Sequence, residues 1–150
     1  MNDNDNNNKI WLFGDENKKL VRTSNIMFFG SLIGLVNKEY ILSPITMVAA
    51  YVSKLFWSSP KNDNIRLLDI LLARSSSFLY IGYIHNSIKN PFLNITYPIF
   101  YISAIGFYLN SCYLHGKRNR MWFVSHYMSH NIAILIQITT ITHRLITNTS

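Results

Sequence analysis

Charge is what this sequence most lacks. Asp, Glu, Lys and Arg make up only 14% of its 150 residues, against about 25% in ordinary soluble domains. A domain of this size exposes a large surface relative to its volume, and in water that surface must be polar. Cysteine is nearly absent. Cys112 alone excludes an internal disulfide framework and a cysteine-built zinc finger, and it is expected simply to pack within its helix. There is no Gly-rich phosphate loop, no Gly-x-Ser-x-Gly elbow and no Cys–His nucleophile arrangement. Acidic residues number 7 against 14 basic ones, a net charge of +7. No soluble segment interleaves basic and aromatic residues, so nucleic acid is not an expected partner. Alanine occurs five times, whereas isoleucine occurs 20 times and asparagine 17 times. An AT-rich genome writes that bias, so the asparagines need carry no function.

What the chain does contain is apolar length. Residues 1–23 read as a polar N-terminal tail, disordered at its Asn- and Asp-rich start, with a short apolar patch at Ile10–Phe13 that suits a membrane interface or is incidental. The tail has neither the basic start nor the early apolar run of a cleaved signal peptide. Long apolar stretches then alternate with short polar breaks. The clearest, Phe92–Leu114, has no charged residue. A bilayer core about 30 Å thick needs about 20 helical residues. The sequence predicts an all-α fold: a polytopic transmembrane bundle of about five spans, near 20–36, 41–57, 65–88, 92–115 and 121–143. A soluble helical bundle is the competing reading. Helices with so little Lys and Glu on their outer faces would aggregate in water.

Charge asymmetry predicts the orientation. Five spans put Lys9, Lys18, Lys19, Arg22, Lys54, Lys61, Arg66, Lys117, Arg118 and Arg120 on one side. Only Lys38, Lys89 and Arg144 fall on the other, with Arg74 inside a span. Ten against three predicts a cytoplasmic N-terminus and a lumenal or extracellular C-terminus. The net charge then marks the face turned to anionic lipid. Two glycosylation acceptor patterns, Asn94-Ile95-Thr96 and Asn148-Thr149-Ser150, fall on the outer side close to the membrane.

Ionisable groups at membrane depth are costly and usually face the bundle interior. At 100° per residue, Asp69, Ala73, Ser76, Tyr80, Tyr83 and Ser87 share one face of the third span. Tyr97, Tyr101, Tyr108 and His115 share one side of the fourth. In the fifth, His126, His130, Ala133, Gln137, Thr140 and Arg144 align, opposite Val124, Met128, Leu135 and Ile138. Such seams predict an internal polar network, whose simplest role is ordinary interhelical hydrogen bonding. The i, i+4 pair His126 and His130 puts two imidazoles one turn apart, a spacing that can hold one metal ion. At 1.5 Å per residue, Asp69 lies at a similar depth, about 6 Å from the cytoplasmic end of its helix. Asp69 and His115 are the candidates for a further ligand of a zinc site. A buried Asp69–His126 or Asp69–Arg74 pair that merely neutralises charge is the alternative.

These residues resemble a family pattern. The alkaline ceramidase, hemolysin III and progestin/adiponectin receptor proteins, grouped as the CREST superfamily, carry Ser-x-x-x-His closing a helix. An Asp follows early in the next helix, often as Leu-Asp, and His-x-x-x-His lies in the last. This chain has Ser53-Lys54-Leu55-Phe56-Trp57, then Leu68-Asp69, then Ser125-His126 and His130, in that order. The resemblance covers residues 45–140 and implies an intramembrane zinc site, with Ser53 and Asp69 beside it and a lipid amide as substrate. The family's third zinc histidine falls at Trp57 here, and the family has seven spans.

Three functions follow. The first is a multi-pass membrane protein without chemistry, a structural or interaction component whose partners are the bilayer and, through the small-xxx-small pair Gly30 and Gly34, a neighbouring helix or a second chain. The second is a zinc-dependent lipid hydrolase in which His126, His130 and a third group hold the metal and Asp69 serves as base or orients water. The third is a small transporter or channel, with a water path past Gln137 and Thr140.

Overall fold

The structure is a computed structural model that describes residues 15–58, 63–87, 90–117 and 119–148. The Asn-rich start, the Ile10–Phe13 patch and the end of the second glycosylation pattern lie outside them, as do the side chains of His85 and Arg144. Among the described residues there are five helices and no strand: α1 (Glu16–Val36), α2 (Leu42–Ser58), α3 (Asp63–Ser87), α4 (Pro91–Gly116) and α5 (Trp122–Asn148). The fold is all-α.

Local chemistry sets the ends. α1 closes in a Schellman turn, with Lys38 at φ 65°, Lys38 N–H donating to Leu35 O and Glu39 N–H to Gly34 O. Glu39 then caps α2, its Oε1 accepting from Leu42 N–H at 3.2 Å. Asn90 caps α4, accepting from Phe92 and Leu93 N–H, with Pro91 in the first turn, where its missing N–H costs nothing. Asn119 Oδ1 accepts from Met121 N–H ahead of α5. α1 starts at Glu16, eight residues inside the stretch read as tail. The reason is packing: Leu20, Thr23 and Ser24 are buried, and Leu20 joins Phe56, Trp57, Trp122 and Phe123 in one cluster. Asp15 and Lys18 form an exposed pair at 2.7 Å. Their hydrogen bond holds the Asp15 carboxyl below, and the Lys18 ammonium above, its ordinary value.

Each helix packs on its neighbours in sequence, and α5 returns to α1, so the five form a closed ring. The α3–α4 seam is the most sparsely packed of the five. Two layers of large side chains cross the ring. One is the Leu20, Phe56, Trp57, Trp122 and Phe123 cluster, where α1 and α5 begin and α2 ends. The other gathers Leu42, Tyr80, Tyr97, Tyr101 and Ile136. Small residues allow α1 to approach. A Cβ on Gly34 would collide with the Ser43 hydroxyl, and one on Gly30 would crowd the Gln137 amide.

The interior is polar. Ser24, Ser31, Ser43, Thr46, Gln137 and Thr140 are buried, and among the described residues the buried polar or charged ones number thirteen, as many as the buried apolar ones. Large apolar residues face outward: Phe78 is 75% exposed, Phe92 71% and Ile102 70%. Among the described residues one helix, α4, is long and apolar enough to cross a membrane, and 17% of its most apolar window is buried. The other four do not meet the same composition test. α2 has 17 residues, α3 carries Arg66, Asp69 and Arg74, α1 opens with Lys18, Lys19 and Arg22, and α5 is diluted by its polar seam.

Gly34→Val should lower the melting temperature, because overpacking a tight contact costs about 1–3 kcal/mol. Gly106→Ala should leave it unchanged or raise it, since nothing lies within 4 Å of the added Cβ. Thermal melts of the two purified variants check this.

Candidate functional site

A cavity of about 480 Å³ lies inside the ring above the tryptophan layer, and its walls are mainly apolar. Its size falls within the range of about 300–1,000 Å³ typical of small-molecule sites. Ser53 of α2, Asp69 of α3, His115 of α4, and His126 and His130 of α5 all line it. The five candidate residues named from the sequence therefore share one space, brought together from four helices.

α5 presents its two imidazoles because the 3.6-residue period repeats every fourth side chain on one face. The His126 and His130 ring centroids are 4.9 Å apart. Thr23 Oγ1 lies 3.1 Å from His130 Nδ1. Thr23 gives its only hydroxyl proton to Leu20 O at 2.9 Å, so His130 Nδ1 carries the hydrogen and donates to Thr23. That leaves His130 Nε2 as an acceptor. His126 Nδ1 meets Ser111 Oγ at 3.4 Å, while its Nε2 is buried without a hydrogen bond. Trp57 lies across His126 at 5.2 Å and stacks on Trp122 at 6.2 Å between ring centroids. Trp122 in turn sits edge-on to His115 at 5.3 Å. Aromatic rings thus surround His126, with Trp57 and Trp122 both beside it. Among the described residues no three of His, Cys, Asp and Glu are gathered closely enough to hold a metal ion. His126 and His130 supply two imidazoles on one face of α5, and His115 and Asp69 line the same cavity.

The cavity is instead distinguished by unused hydrogen-bonding groups. Trp57 Nε1, Ser53 Oγ, His115 Nε2 and His126 Nε2 are buried with no partner among the described residues. Trp57 and Ser53 are only 3% and 7% exposed. The Ser53 hydroxyl is turned toward the Asp69 carboxyl without closing a hydrogen bond of ordinary geometry. Buried polar groups left unsatisfied are costly, and each needs an explanation such as a water or a ligand. Arg66 and Arg74 also line the space. Arg74 stands beside the Tyr108 hydroxyl, across the α3–α4 seam.

Away from the cavity several seam groups are paired, although Asn94 Oδ1 is buried there without a hydrogen-bond partner among the described residues. Tyr80 and Thr46 hydroxyls meet at 2.7 Å, and Tyr83 OH donates to Glu39 Oε2 at 3.1 Å. Gln137 Nε2 donates to Ser31 Oγ at 2.8 Å and Met27 O at 3.1 Å, and Thr140 Oγ1 approaches Tyr97 OH at 3.2 Å. Gln137 and Thr140, which a transport path would need beside water, are buried and engaged. The residues that the pattern of spans did not single out are Thr23, Trp57, Ser111 and Trp122. A helical wheel places polar residues, but it does not say which ring or hydroxyl of another helix they meet.

No protein-family model, no curated protein and no solved structure matches the chain.

Gln137→Leu should lower stability by about 1–2 kcal/mol, because it removes two interhelical hydrogen bonds of the kind worth about 0.6–1.7 kcal/mol in membrane bundles. Thr142→Val, whose hydroxyl bonds only Ile138 O of its own helix on an exposed face, should change it little. Denaturation of both variants in mixed micelles checks the difference.

Proposed function

We propose that the chain is a multi-pass membrane protein, a five-helix bundle with a cytoplasmic N-terminus, whose interior cavity binds an amphipathic ligand rather than performing chemistry. The observation that carries this reading is the inverted polarity. Serine, threonine and glutamine fill the interior, while Phe29, Ile33, Val36, Phe78, Ile102 and Ile146 are among the large side chains left outside. In water such a surface would drive aggregation. In hydrocarbon it is the expected one, with small and polar residues at helix contacts. The helices have 21, 17, 25, 26 and 27 residues, and about 20 cross a bilayer core. Part of the polar composition that dilutes α3 and α5 comes from residues turned inward, Asp69, His126, His130 and Gln137, whereas Asn64, Arg74 and Ser75 of α3 are exposed. The side that carries Lys18, Lys19, Arg22, Arg66, Lys117 and Arg120 is the basic one, which supports its cytoplasmic placement.

Alkaline carbonate washing of membranes should leave the untagged chain in the pellet, and release into the supernatant would exclude integral insertion. In a Cys112→Ser background, Lys38→Cys should react with an impermeant maleimide added to intact cells, and Lys117→Cys should not. The reverse pattern would invert the orientation.

One observation favours a second reading, a zinc-dependent intramembrane hydrolase: Ser53, Asp69, His115, His126 and His130 converge on one cavity. It requires stoichiometric zinc in the purified protein, lost in the His126→Ala, His130→Ala double variant. Metal-free protein at neutral pH would reject it.

A further inference from the structure

The reading of the bundle as a membrane protein with a ligand cavity leaves the ligand's chemistry open, and the cavity walls narrow it. Two arginines and one aspartate contribute charged groups to its lining, an excess of one positive charge. Among the described residues neither Arg66 nor Arg74 has an ion-pair partner. Asp69, the nearest acid to Arg74 in sequence, faces Ser53 on α2. Arg66 lies in the first turn of α3, where a long side chain can reach the bilayer surface. Arg74 lies eight residues further, about 12 Å deeper at 1.5 Å per residue. Arg74 is exposed on α3 with the Tyr108 hydroxyl beside it, and a cation at membrane depth favours an anion next to it.

The cavity is also graded along its length. Along α3 its lining runs from Arg66 and Asp69 in the first two turns, past Arg74, Ser76 and Ser77, to Phe78 and Ile81, which with Ile105 of α4 also reach the outer surface. Arg74, Phe78, Ile81 and Ile105 line the cavity and are also exposed on the outside of the bundle, beside the sparsely packed α3–α4 seam, where Arg74 meets Tyr108. We infer that the cavity is a site for a single-chain or double-chain lipid with a phosphate head. The lipid enters sideways between α3 and α4, with its phosphate among Arg66, Arg74 and the unpartnered Trp57 Nε1 donor and its hydrocarbon along Phe78, Ile81 and Ile105. A phosphate suits these groups because the arginine fork bonds its oxygens in pairs, and the buried Trp57 N–H, which has no partner among the described residues, can donate to an oxygen that remains. The tail then lies parallel to the helices, as in the surrounding leaflet.

The test titrates the full chain, purified in a neutral maltoside detergent, with dodecyl phosphate, dodecanol, dodecyltrimethylammonium and inorganic phosphate, reading heat by calorimetry. Dodecyl phosphate should bind saturably at one per chain, and the other three should bind at least tenfold more weakly. Failure of inorganic phosphate to compete separates a lipid head from a free-phosphate site. Arg74→Gln should weaken dodecyl phosphate about 10- to 100-fold, the loss of a charged hydrogen bond, and Arg74→Lys should keep part of the affinity. Ala104→Trp, at the seam wall, should block binding with the melting transition retained. If Arg74→Gln does not fold, Arg66→Gln supplies the same comparison. Equal binding of dodecanol and dodecyl phosphate, or full affinity in the folded glutamine variants, overturns head-group recognition while leaving the membrane bundle intact. Failure of the carbonate test would instead remove the bundle.

Discussion

Hydroxyl and amide groups fill the middle of this protein, and isoleucine, leucine and phenylalanine cover its outside. Every other feature depends on that inversion. In water the hydrophobic effect would drive the outer side chains together and leave the seams of serine and threonine as the solvent face. Surrounded by hydrocarbon, the outer side chains lose nothing, and each interior polar group has strong reason to find a partner. The Gln137–Ser31–Met27 contacts, the Tyr80–Thr46 pair and the Tyr97–Thr140 pair are the partners found. Gly34 and Gly30 let α1 come close enough for them to form.

The cavity is where this satisfaction stops. Above and below it, stacked aromatic rings and paired hydroxyls hold the helices together. Within it, Trp57 Nε1 and two imidazole nitrogens are buried without a hydrogen-bond partner, and among the described residues Arg66 and Arg74 lack acidic partners. Closing the ring through α1, α2 and α5 is well supported by packing. The α3–α4 side is held by few contacts, which makes it the natural route to the interior. A site built this way can select a head group by charge and accommodate a chain of loose specification, which suits binding better than bond-making.

Much of this was legible in the sequence. The five apolar stretches became five helices, because residues at 3.6 per turn with so few breakers have little alternative. The seam residues Tyr80, Tyr83, Gln137 and Thr140 took interior positions, and Val124, Met128, Leu135 and Ile138 took exterior ones, as period alone dictates. His126, His130, Asp69, Ser53 and His115 met in one cavity. What the sequence could not give was pairing between helices. That Thr23 orients His130, or that Trp57 lies across His126, depends on rotation and height between elements far apart in the chain. The start of α1 was misplaced for a related reason. Lys18, Lys19 and Arg22 look like a soluble tail until the burial of Leu20 against Trp122 and Phe123 shows the same residues continuing a helix.

The central claim concerns the solvent around the helices, and reactive labelling from within the bilayer addresses it most directly. A photoactivated carbene precursor dissolved in the lipid, with peptides mapped by mass spectrometry, should mark Phe29, Ile33, Phe78, Ile102 and Ile146 and spare Ser31, Gln137 and Thr140. A chain whose outer apolar side chains escape the reagent, while the same reagent marks known membrane spans in that preparation, would contradict the account.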